Sequence, residues 1–83
     1  MEKKPIGKVV HYFTNISVAV IDLSDELKVG DRICFEGATS NFEQAVNSMQ
    51  IEHKNVPSAS AGQSVGLKVD QRVRQGDLVF KIS

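Results

Sequence analysis

Three groups of residues in this chain have side chains that could do chemistry. Gly62-Gln63-Ser64-Val65-Gly66 has the G-x-S-x-G spacing of a nucleophile elbow, in which a serine on a sharp strand-to-helix turn attacks a carbonyl. Its context opposes that use. Ser64 opens an alternating run rather than a helix, and His11 and His53 both precede it, whereas the elbow needs its acid and histidine afterwards. His11, His53 and Cys34 are ligand types for a metal, yet no two share the close spacing of a C-x-x-C or H-x-x-x-H pair. No catalytic residue, metal or cofactor is therefore expected. The third group is cationic: Lys54, Lys68, Arg72 and Arg74, with Gln63 and Gln71 nearby. If folding draws the loop after His53 towards the one before Leu78, these side chains could grip an RNA backbone, the arginine fork suiting phosphate best. Asp70 and Asp77 are interspersed among them, and mixed charge of that kind equally serves solubility.

Composition narrows the partners. Ten basic and ten acidic residues cancel, so the basic excess of a sequence-specific or tight nonspecific DNA binder is absent. The 83 residues read as one domain, 1–83, near the lower limit for a fold without disulfides or structural metal. Five aromatics (Tyr12, Phe13, Phe35, Phe42 and Phe80) and no Trp imply a core of Val, Ile and Leu, which suits pleated strands. The single cysteine and the lack of an apolar stretch after Met1-Glu2-Lys3-Lys4-Pro5 point to the cytoplasm. The longest apolar run, Val18 to Ile21, is far too short to cross a bilayer, and no membrane association is expected.

The elements that would position these groups are strands. Val29-Gly30-Asp31-Arg32-Ile33-Cys34-Phe35 and Arg74-Gln75-Gly76-Asp77-Leu78-Val79-Phe80 each place Gly-Asp at the start of an alternating run, the mark of a corner leading into a strand. Ile6 to Tyr12 and Ile16 to Asp22 read as a hairpin turning at Thr14-Asn15, with Val9 inward, His11 on that side, and Val18 and Val20 inward. Ser24 to Leu27 offers at most a helical turn. Arg32 to Glu36 forms the next strand, with Ile33 and Phe35 inward and Cys34 outward. In Ser64 to Val69, residues Val65, Leu67 and Val69 share one face, and in the last strand Leu78, Phe80 and Ile82 oppose Val79 and Lys81. Asn55 to Ala61 reads as a loop. Ser40 to Lys54 is ambiguous: Ser40 and Glu43 make a capping box, and Phe42, Ala45, Val46, Met49 and His53 fit helical spacing, while the strand pattern is imperfect.

Ile6-Gly7-Lys8-Val9, Val20 to Asp22, Leu27 to Ile33, Ala61 to Leu67 and Arg74 to Val79, in that order, resemble the second domain of translational GTPases such as elongation factor Tu. They most closely resemble small stand-alone elongation-factor-like proteins. The same pattern, with Ser48-Met49-Gln50-Ile51 and the closing Gly-Asp turn, is also similar to the C-terminal domain of collagenase-like peptidases. The resemblance implies an all-β fold, a small closed six-stranded Greek-key β-barrel, with Phe42 to Glu52 as a strand. There is no G-x-x-x-x-G-K-[ST] loop, so GTP is not expected to bind this chain alone. The expected role is a non-catalytic module contacting RNA or a ribosome-associated protein through Lys54, Gln63, Lys68, Arg72 and Arg74. The alternative is a protein-interaction module working in trans beside an enzyme such as a collagenase-like peptidase, and an exposed apolar patch would mark it.

Overall fold

Alternating Val, Ile and Phe between glycine corners give a chain made of short antiparallel strands. The computed structural model describes residues 3–37 and 41–82. They form β1 (Lys3–Phe13), β2 (Val18–Leu23), β3 (Leu27–Lys28), β4 (Arg32–Glu36), β5 (Asn41–Ala45), β6 (Met49–Ile51), β7 (Lys54–Val56), β8 (Ser58–Ala59), β9 (Ser64–Lys68) and β10 (Leu78–Ile82). No helix occurs among the described residues. One sheet has the order β5-β4-β10-β1-β2-β9-β6-β7, and β3 pairs with β8 separately.

The fold is thus all-β and antiparallel, but the expected closed six-strand barrel is corrected: the ladder ends at β5 and β7. The chain leaves β5 at Val46–Ser48, and a side chain bridges where a backbone ladder would have closed. Gln44, buried beside Phe42, donates from Nε2 to the Lys68 carbonyl (2.9 Å) and accepts at Oε1 from the Asp70 N–H (2.8 Å). Its amide thus acts as a detached peptide unit between β5 and the end of β9. The anticipated strand from Phe42 to Glu52 is two strands, β5 and β6. The proposed helix cap Ser40 lies outside the described residues. The loop reading of Asn55 to Ala61 gives way to parts of β7 and β8, and the helical turn at Ser24 to Leu27 to a bend leading into β3.

Three corners lock this sheet in the same way. Gly30, Gly62 and Gly76 have φ of +99°, +88° and +97°, as the third position of a type II turn demands. Each glycine N–H donates across to a backbone carbonyl (Val46, Leu23 and Val9, at 2.7–2.8 Å), and the N–H of that same residue donates to the carbonyl after the glycine (Asp31, Gln63 and Asp77, at 2.8–2.9 Å). The side chain after each glycine then folds back to accept the N–H that begins the turn: Asp31 from Lys28, Asp77 from Arg74, and Gln63 from Ser60.

Inward positions differ from simple alternation in two strands. β1 shifts register between Pro5 and Gly7 and between Val9 and His11, so its inward residues are Ile6 and Val9, with Tyr12 packed at the core's edge, spaced three apart. His11 is consequently exposed rather than inward. β2 buries Ala19, Ile21 and Leu23, which turns Val18 and Val20 to the outer side, and β10 buries Val79, leaving Leu78, Phe80 and Ile82 on the outer side. Phe35 and Phe42 stack across β4 and β5 with centroids 4.9 Å apart, filling the core with Ile33, Ile6 and Val65.

Candidate functional site

The phase of β1 and β2 builds an apolar face on the outside of the molecule. Across four strands its central row runs His11, Val20, Gly66, Gln50, and the next row runs Phe13, Val18, Lys68. Phe13 is 46% exposed and Ile16, in the turn after it, 60%. Isolated apolar side chains at a surface mean little, but a contiguous strip of them marks a contact surface. With Gln50, Glu52, His53 and Ser64 these residues line a shallow hollow of about 320 Å³ whose floor is Gly66. His11 packs edge-on against Phe13, ring centroids 4.4 Å apart.

Backbone strain borders the hollow. Glu52 and His53 form the two-residue loop between β6 and β7, with φ of +52° and +66°, and Ser17 has +55°. Both loop residues in the left-handed region define a type I′ turn, which ordinarily takes Asn-Gly. Side chains that tolerate this region poorly are found where the surroundings or the function require them. Here the turn brings both side chains to the wall of the hollow.

The structure disperses the candidate metal and nucleophile residues. Cys34 is buried on the opposite outer side, under Lys3 and Glu36, away from His11 and His53. Burial holds its thiol pKa above the usual value, the nearby Glu36 carboxylate adds to this, and the Lys3 ammonium offsets part of it. Among the described residues no group of three or more His, Cys, Asp or Glu could hold a metal ion. Ser64 opens β9 and donates its hydroxyl to Asp22 Oδ1 instead of facing a histidine base.

Of the five expected contact residues, Arg72 and Arg74 share a hollow with His11, Tyr12, Thr14 and Gln75. Lys68 closes β9 across from Val18. Gln63 stands before the other end of β9, its side chain engaged in the Gly62 corner, and Lys54 begins β7. The apolar strip was missed as a site because Val18 and Val20 read as core. The signal that could have exposed it is the run Val18 to Ile21, apolar at successive positions and therefore on both faces of a strand.

The architecture is that of a small all-β domain of known structure. It superposes on the C-terminal domain of a putative U32 peptidase of Geobacillus thermoleovorans with a TM-score of 0.90 at 22% identity, covering 96% of this chain and 93% of that one. A selenomethionine variant of that domain gives 0.87. In sequence, the chain is 46% identical over 79 residues to an uncharacterized protease of Methanocaldococcus jannaschii, covering 94% of this chain and 19% of that protein. It is 32% identical over 82 residues to a collagenase of Porphyromonas gingivalis, covering 96% of this chain and 23% of that protein. The chain therefore spans about a fifth of the length of the curated relatives it matches. No protein-family model matches it. These similarities support the peptidase side of the sequence resemblance, and they overturn the translation-factor function and the RNA role that was expected with it. No helix among the described residues is long and apolar enough to cross a membrane.

Proposed function

We propose that this chain is a non-catalytic accessory domain that docks on a peptidase-type catalytic body through the strip formed by Phe13, Ile16, Val18, Val20 and the Glu52-His53 turn. The observation that carries this reading is the exposed strip itself, in a chain whose relatives join the same segment to a body roughly four times its length. Neighbouring domains ordinarily share an interface of about 600–1,500 Å², and an apolar strip rimmed by polar groups suits one. The single cysteine, kept as a free thiol, fits residence in the cytoplasm.

The test is direct binding to a relative protease from which the segment matching this chain has been removed, its fold verified by circular dichroism. Wild-type chain should bind in isothermal titration calorimetry. Ile16→Asp, at a position that folding does not bury, should weaken binding at least about tenfold, the loss of roughly 1.4 kcal/mol. Failure of the wild-type chain to bind the folded, shortened protease would refute the reading.

A further inference from the structure

We infer that, when no peptidase body is present, the chain covers this strip with a second copy of itself, the two strips packing about a two-fold axis that passes close to Gly66. This rests on the reading of the strip as a protein-docking face and names its occupant in the isolated chain.

The argument is one of symmetry. An isologous contact requires a surface that complements itself when turned by half a revolution. In the antiparallel pairing of β6 with β9, Gln50 stands opposite Gly66, and Glu52, in the turn that follows β6, lines the same hollow as Ser64. Lys68 lies at the other end of β9, about 13 Å away at the usual rise per residue. The apolar row through Val18 and Val20 runs between these two charges. A two-fold axis lying in the interface plane and crossing the strands at Gly66 exchanges the ends, setting Lys68 of each copy towards the Glu52 end of the other and laying Val20, level with Gly66, against its symmetry mate. Neither charge is already committed, for among the described residues neither side chain has an ion-pair partner.

The position on the axis also fits. Two sheets meeting face to face come nearest where a side chain is lacking, and a Cβ at Gly66 would sit 3.4 Å from Val18 Cγ1, at the limit of ordinary contact. Size sets the strength. A stable homodimer hides about 800 Å² on each partner, close to the whole of one broad side of a body measuring 30 × 30 × 20 Å. The apolar strip is only part of such a side, so association is weak and gives way to a larger partner.

Sedimentation equilibrium of the full chain, from about 10 µM to about 1 mM, tests this. Wild type should pass from monomer to dimer across that range. Glu52→Lys and Lys68→Glu should each raise the dissociation constant about tenfold, because each sets like charges opposite one another, and the double swap should restore it by re-forming both pairs reversed. Thermal melts establish that the variants are folded. Monomer at every concentration, higher oligomers without a dimer, or a dimer indifferent to the swaps would overturn the inference. If the chain stays monomeric yet binds the shortened protease, only the self-association fails. If it does neither, the docking reading falls with it.

Discussion

The two outer sides of this sheet start from similar residues and end in different states. Both carry apolar side chains outward: Phe80, Ile82 and Cys34 on β10 and β4, and Phe13, Val18 and Val20 on β1 and β2. On the first side the chain covers Phe80, Ile82 and Cys34 itself, while Leu78 at the end of the row stays 45% exposed. Lys3 pairs with Glu36, its ammonium lies 5.8 Å from the centre of the Phe80 ring, and Arg32 reaches Glu43 at 3.4 Å. Long cationic stems laid over apolar surface in this way shield it while the charge stays in water. On the second side no ion pair lies over the apolar row among the described residues, and a strained turn is held at its rim. A sheet tolerates outward apolar residues where ion-paired side chains lie over them; where they do not, the proposed docking partner would supply the cover.

The largest effect belongs to the seam that joins the sides. Gln44→Leu should lower stability by about 1–3 kcal/mol, because it removes two hydrogen bonds and leaves the Lys68 carbonyl and the Asp70 N–H without their partner at a part-buried position. Gln44→Glu should do no better: it retains an acceptor for Asp70 but turns a second oxygen towards the Lys68 carbonyl. Urea midpoints at unchanged slope would measure both. A loss under about 0.5 kcal/mol would mean that the core alone joins the two sides.

A smaller effect, opposite in sign, should come from the rim. His53→Gly relieves a left-handed residue whose side chain disfavours that region, and should raise stability by up to about 1 kcal/mol after allowing for the greater freedom of glycine in the unfolded chain. The same change removes a wall of the hollow and should weaken both docking and self-association. Gain in the melt with loss in binding is the signature of strain kept for function. A fall in stability would show that His53 holds the turn by contact, and the contrast between the sides would lose its strained element.

How far the sequence discloses these features depends on what specifies each. The corners are legible because glycine at positive φ leaves a direct trace: Gly30-Asp31 and Gly76-Asp77 mark two of them, and Gly62-Gln63 punctuates the third. The cross-corner bonds to Val9, Leu23 and Val46 leave none, since any residue offers the same N–H and carbonyl. Inward phase is legible where one face is polar, as in Ser64 to Lys68, and illegible where both faces are apolar. The bulge between Val9 and His11 follows two successive valines, and Val18 to Ile21 runs without a polar marker, so alternation assigns the wrong members to the core. That error and the proposed docking strip coincide because apolar residues turned outward imitate core. The strand reading of Phe42 to Glu52 came from the resemblance, and its break at Val46–Ser48 from tertiary closure through Gln44, which no local pattern encodes.

The subtlest test asks whether the self-covered side is truly closed. Its reporter is Cys34, 4% exposed, whose thiol donates to Glu36 Oε2 at 3.8 Å. Because burial and then Glu36 hold its pKa above the usual value, the thiolate fraction at neutral pH is below that of a free cysteine. Labelling by a small disulfide reagent should therefore be slow and should accelerate with pH to beyond the ordinary thiol range. The sign for stability follows: a group with a raised folded pKa contributes fully below its unfolded value and less as pH rises through the folded one, so Cys34→Ala should flatten the alkaline loss. Glu36→Gln removes the negative charge, lets the thiol pKa fall and frees Lys3 from its pair, so labelling at neutral pH should quicken by about two- to fivefold. Wild-type labelling as rapid as that of an unstructured peptide would show that Lys3 and Glu36 cover nothing, and the two sides would then differ only in composition.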